Sequence, residues 1–146
     1  MNKILTISIG NDHAGYDLKF LIRDKLTQLG YKIINHGCDG PESVDYPDYG
    51  HKVASDILQE KAQYGIVICG SGNGINMTVN KHQGIRSALC WNRELASLAR
   101  SHNNANILAL PARFISEKIA LECLNVFLNQ KFEGGRHLNR VNKINC

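Results

Sequence analysis

The sequence predicts an α/β protein: a three-layer sandwich of helices around a five-stranded parallel sheet. Two observations carry that reading. Short apolar runs alternate along the chain with segments whose apolar residues recur at helical spacing. One run, Gly65–Cys69 (GIVIC), is apolar on both faces, as expected of a strand that helices cover on both sides.

Each element has its own signal. Ile4–Ile9 reads as a buried strand ending at Gly10. Asp17–Leu29 sets Leu18, Leu21, Ile22, Leu26 and Leu29 on one helical face, and Gly30 stops it. Tyr31–Asn35 reads as the second strand. Gly37–Pro47 collects Gly, Pro, Asp and Ser and reads as a loop. Pro47 suits the first turn of a helix whose Val53, Ala54, Ile57 and Leu58 face inward. After Gly65–Cys69 come Gly70-Ser71-Gly72-Asn73-Gly74 and a helix to Asn80. Ile85–Cys90 is the fourth strand, and Asn92 caps a helix to about Ser101. Asn106–Leu110 is the fifth. Ser116 caps a helix with Ile119, Ala120, Cys123, Leu124, Phe127 and Leu128 on one side, and a polar tail begins at Glu133.

The whole chain, 1–146, is expected to form one domain. At that length folding buries on the order of 70% of the surface the unfolded chain exposes, enough without disulfides or a structural metal. Hydrophobic residues make up 43% and charged residues 21%, which excludes disordered and collagen-like classes. The net charge of +4 comes without a dense Lys/Arg run; by itself it leaves nucleic acid open, but a local anion site explains it as well, and no nucleic-acid partner is expected. The five cysteines are odd in number and form no CxxC, which argues against a disulfide framework and for a reducing, cytoplasmic compartment. The N-terminal apolar run is too short for a signal segment or a membrane span.

In an open parallel sheet, ligands bind beyond the carboxyl ends of the strands. Several chemically capable residues fall there. Three glycines in Gly70–Gly74 allow a tight turn with bare N–H groups, backed by a helix N-terminus. Such a loop can hold a phosphate or a reaction oxyanion. It matches neither the dinucleotide fingerprint nor the P-loop. Cys69 ends the strand before it, where a helix N-terminus favours the thiolate as base or nucleophile. Its other reading is a small buried hydrophobe, which is also the reading for Cys38, Cys90, Cys123 and Cys146. Asp12-His13 follow the first strand and can move protons or hold a sugar hydroxyl and phosphate. His102-Asn103, in RSHNNAN, read on their own as surface residues. Arg136 and Arg140 lie four apart, on one face of a helix, and suit a phosphate together with Arg113.

Six blocks in order along the chain resemble the ribose-5-phosphate isomerase B family: NDHAGY 11–16, DYPDY 45–49, ICGSGNG 68–74, NKHQGIR 80–86, SHNNAN 101–106 and EGGRHLNRV 133–141. The resemblance implies a Rossmann-like α/β/α sandwich. It implies an aldose–ketose isomerase that interconverts ribose 5-phosphate and ribulose 5-phosphate through an enediolate, in the non-oxidative branch of the pentose phosphate pathway, with no metal or organic cofactor. It implies a homo-oligomer, dimer or tetramer, with active sites shared between subunits and the tail 133–146 reaching the partner. By the same resemblance Cys69 is the base between C1 and C2. Family members that use a Glu carry it where this chain has Ile75, so the chain falls in the Cys branch. Ser71 shuttles hydroxyl protons, and the amides of Gly70, Ser71, Gly72, Asn73 and Gly74 hold the enediolate. His102 opens the furanose ring with help from Asp12. Tyr46 and Asn103 contact substrate, and His13, Arg113, Arg136 and Arg140 clamp the phosphate.

Three other readings stand beside this one. The substrate could be a six-carbon aldose phosphate, allose or galactose 6-phosphate. Galactose-type subunits tend to lack the EGGRH block that this chain has. A phospho-ligand-binding signalling module would share the α/β pattern, but where a receiver places its phosphorylatable Asp the chain has Cys69-Gly70. A thiol-redox protein is disfavoured by the lack of CxxC.

Overall fold

The computed structural model describes residues 3–146. In chain order it contains β1 (Thr6–Asn11), α1 (Tyr16–Gln28), β2 (Lys32–Asn35), α2 (Tyr46–Leu58), β3 (Tyr64–Cys69), α3 (Asn73–Asn80), β4 (Ser87–Leu89), α4 (Arg93–Ser101), β5 (Ile107–Pro111), α5 (Glu117–Asn129) and α6 (Arg136–Asn142). The five strands form one sheet in the order β2-β1-β3-β5-β4, and every pairing is parallel.

Alternation along the strands builds two cores. Ile7, Ile9, Ile66, Ile68, Leu108 and Leu110 point to the side covered by α1, α4 and α5, where Ile22, Leu26, Leu124 and Phe127 meet them. Val67, Cys69, Ile107 and Ala109 point to the other side, against Val53, Ala54, Ile75 and Val79 of α2 and α3. This is the three-layer sandwich expected from the alternating pattern. Asn92 accepts from the Leu95 N–H at 2.9 Å and Ser116 from the Ile119 N–H at 3.2 Å, so both predicted caps form. A cap is worth about 1 kcal/mol, whereas one fully buried Ile or Leu is worth about 1.5–3 kcal/mol. Burial therefore sets where these helices lie, and the caps set where they start.

Some expectations shift. Ile4 lies outside β1 and is exposed, because the ladder begins at Thr6 paired with Lys32. Leu29 caps the end of α1 and Leu58 is the last residue of α2, and at those ends both side chains turn to solvent. The segment from Glu133 is not merely a polar tail. It folds into α6, which buries His137 and Val141.

Candidate active site

The chain leaves β1 toward β2 on one side and returns through α2 to β3 on the other. That reversal opens a crevice between the carboxyl ends of β1 and β3. Asn11-Asp12-His13 border it from β1, and Cys69 with the loop 70–74 border it from β3. Cys69 pairs with Pro111 and is buried, with its side chain on the α2/α3 face.

Gly72 turns the loop at φ +75°, and a side chain there would strike Leu89 and the Leu110 carbonyl carbon. The Asn73 N–H donates to Ser71 Oγ at 3.2 Å. The N–H groups of Ser71, Gly72 and Gly74 meet no acceptor among the described residues, and α3 stands directly behind them. Arg113 is tied to the same loop. Its N–H donates to the Gly70 carbonyl at 3.0 Å, and its guanidinium lies against the bare Cα of Gly70. The ring of Tyr46 covers Gly74 so closely that any side chain at 74 would displace it. Ser71 and Asn73 also line a cavity of about 390 Å³ with Leu89, Trp91, Pro111 and Phe114.

Asp12 accepts from the Ala14 N–H at 2.9 Å, which fixes its carboxylate in a tight turn. The Val44 N–H donates to His13 Nδ1 at 3.2 Å. A neutral His13 then carries its proton on Nε2. Val44 belongs to the loop 36–45, which is held from beneath. Asn11 Nδ2 donates to the Cys38 carbonyl at 2.9 Å. Lys19, fully buried, donates to the same carbonyl at 3.0 Å and pairs with Asp39. The Lys19 hydrogen bond holds the Asp39 carboxyl below the usual carboxylate range. Sequence reasoning placed Asn11 just beyond the end of the first strand without giving it a role, and it missed Lys19. The signal for Lys19 was a lysine beside Leu18 on the inward face of a helix.

The remaining predicted residues gather elsewhere. The Arg86 guanidinium, just before β4, donates to the Asn103 carbonyl at 3.2 Å, and the Asn106 N–H donates to the Arg86 carbonyl at 2.9 Å. His102 and Asn103 therefore lie at the amino end of the sheet, where α4 has run back from its start at Asn92. Cys69 ends β3 at the opposite end of the sheet, level with Pro111 at the carboxyl end of β5. Four strand steps of about 3.3 Å put roughly 13 Å of sheet between the two ends. His102 and Asn103 share a cavity of about 510 Å³ with Arg136, Arg140 and His137, along the flank of the edge strand β4. So the structure brings Asp12, His13, Tyr46, Cys69, the loop 70–74 and Arg113 together. It brings His102, Asn103, Arg136 and Arg140 together separately.

In the second group the His102 and His137 rings stack 4.1 Å apart, and Glu133 Oε2 lies 3.9 Å from His102 Nε2 and 3.4 Å from His137 Nε2. Burial, then the neighbouring His102 and Arg136, push the His137 pKa down. Burial raises the Cys90 thiol to about 12 and the Cys123 thiol to about 11, so neither is a thiolate near neutral pH.

A family model described as Ribose/Galactose Isomerase matches residues 7–144. The chain belongs to that family. Its relatives include ribose-5-phosphate isomerase B of Escherichia coli, 38% identical over 94% of this chain and 93% of that protein. Among solved structures, ribose-5-phosphate isomerase B of Clostridium thermocellum superposes with a TM-score of 0.94 at 48% identity, covering 96% of this chain and 95% of that one. The Mycoplasma genitalium enzyme with bound ribulose-5-phosphate superposes at 0.92 with 37% identity, covering 95% and 93%. Among the described residues, no helix of this family member is long and apolar enough to cross a membrane.

Proposed function

We propose that this chain is an aldose–ketose isomerase that interconverts D-ribose 5-phosphate and D-ribulose 5-phosphate. The observation that carries the reading is the meeting, at the β1/β3 crevice, of a strand-end thiol, unpaired loop amides and the Asp12–His13 pair. Membership of a family in which a relative binds ribulose-5-phosphate supports it. In the forward direction the Cys69 thiolate takes the C2 proton of the open-chain aldose. The electron pair moves into an enediolate, whose oxyanion the amides of residues 70–74 hold. Ser71 carries the hydroxyl proton from O2 to O1, and the Cys69 thiol returns its proton to C1. The phosphate lies against His13 and Arg113, where its binding energy orients the sugar.

The other half of the centre comes from a second copy of the chain, because His102, Asn103, Arg136 and Arg140 lie at the far end of the sheet. In a homodimer each tail 133–146 then serves its neighbour: His102 opens the furanose ring with Asp12, Asn103 and Tyr46 contact the sugar, and Arg136 and Arg140 grip the phosphate. The five free cysteines fit a cytoplasmic setting.

The test is conversion of ribose 5-phosphate to ribulose 5-phosphate by the purified protein and by Cys69→Ala. Turnover should fall at least about 100-fold in the variant, the scale of a general base. Exchange of the substrate C2 proton with solvent should stop. Parent-like exchange in a folded Cys69→Ala protein would remove Cys69 from the reaction.

A further inference from the structure

We propose that His102, Glu133 and His137 form a binding site for one divalent transition-metal ion, zinc foremost, and that occupation of this site takes His102 out of the reaction. One donor atom from each residue lies within 4.8 Å of the other two. Four-coordinate zinc, with bonds of about 2.0–2.2 Å, sets neighbouring ligand atoms roughly 3.4 Å apart. The Glu133–His137 separation of 3.4 Å already matches, and the Glu133–His102 separation of 3.9 Å is close. Neither contact has the geometry of a hydrogen bond, and each is an ion pair only while its imidazole is protonated. Two imidazoles and one carboxylate suit zinc, cobalt, nickel or copper better than magnesium or calcium. Three protein ligands leave a fourth position for water.

The backbone holds the three donors in place. The Glu133 N–H donates to the Ser101 carbonyl at 3.0 Å, which ties Glu133 to the residue before His102. Gly134 and Gly135, at φ +67° and +53°, make the turn that brings His137 under Glu133. His137 is buried and fixed, whereas His102 and Glu133 are 37% and 56% exposed and free to adjust. The stacked rings are only 14° from parallel, so their Nε2 lone pairs run side by side rather than meeting. Closing on a metal requires the His102 ring to turn about its Cβ–Cγ bond, and an Nε2 bound to the ion has no lone pair left for proton transfer. Arg136 and Arg140 line the same cavity, and their charge makes this site weaker than a structural zinc site. The inhibitory half of the proposal rests on the ring-opening role given to His102; the binding half does not.

The experiment is calorimetric titration of Zn²⁺ into metal-free protein carrying Cys69→Ala, Cys38→Ala and Cys146→Ser, which lacks the strand-end thiol and the two cysteines that are not buried. One ion per chain should bind, and Glu133→Gln and His137→Gln should each weaken it at least tenfold. Circular dichroism checks that both variants fold, and Glu133→Gln, at an exposed position, keeps the test open if His137→Gln does not. Co²⁺ in place of zinc should show visible bands without a thiolate charge-transfer band. With Cys69 intact, Zn²⁺ should slow turnover of ribose 5-phosphate, EDTA should restore it, and Glu133→Gln should need at least tenfold more zinc. Equal zinc affinity in the parent and the folded variants, or a thiolate band, overturns the site. Zinc bound there without slower turnover overturns the capture of His102. If the protein turns over no ribose 5-phosphate at all, the isomerase reading falls while the calorimetry still decides the site.

Discussion

On the proposed reaction His102 and Cys69 act at different steps, and one substitution separates them. Ribose 5-phosphate is mostly cyclic in water, so a ring must open before C2 is exposed to a base. His102→Asn should slow the cyclic substrate strongly while leaving a linear substrate mimic bound almost normally. Pre-steady-state comparison of the two reads this directly, and an equal defect for both would move His102 out of ring opening. Cys69 could be singled out from the sequence because it ends an all-apolar strand directly before a glycine-rich turn. Lys19 could not. Its neighbours in the chain show a lysine among apolar residues, but only the fold shows Asp39 and the Cys38 carbonyl waiting for its ammonium. His137 was passed over for a similar reason: its partner is stacked on it from another helix.

At the scale of elements, the loop 36–45 decides how well the Asp12–His13 side of the crevice is formed. It is clamped by Lys19 and Asn11 from below and offers the Val44 N–H to His13 above. Asp39→Asn would leave the buried ammonium with carbonyl partners only. Breaking a fully buried ion pair costs several kcal/mol, but Asp39 is 64% exposed, so the loss here should be on the order of 1–2 kcal/mol. Chemical denaturation measures it, and an unchanged midpoint would show that the carbonyls alone suffice. Acid acts in the same direction. A depressed carboxyl pKa contributes stability above the ordinary carboxylate range and loses it as pH falls through the folded value. Element limits were legible wherever a single residue sets them, as with Asn92, Ser116, Gly30 and Pro47. They were less so where pairing sets them. β4 is only Ser87–Leu89, shorter than the predicted strand Ile85–Cys90, because the ladder registers only those three residues against Ile107–Ala109, and Arg86 and Cys90 add hydrogen bonds at its ends.

For the whole molecule, periodicity revealed the layers and the number of strands, but not the order β2-β1-β3-β5-β4. That order depends on which crossovers pack, and residues distant in sequence decide it. It is also what separates the two clusters of site residues, a separation that motif spacing along the chain does not show. If a second copy completes each centre, Cys69→Ala chains mixed with Arg140→Ala chains should regain activity. One centre of the mixed pair then carries both intact halves. Activity measured on a purified heterodimer decides this, and no recovery would place the base and the clamp in the same chain. The roughly 13 Å of sheet between Cys69 and His102 then has a consequence for any quantitative assay. An isolated chain would be folded yet idle, so the rate per milligram would follow mass action rather than remain a constant. On dilution past the point where the pair dissociates, the observed rate would fall with the square of protein concentration, with no bond inside either chain disturbed.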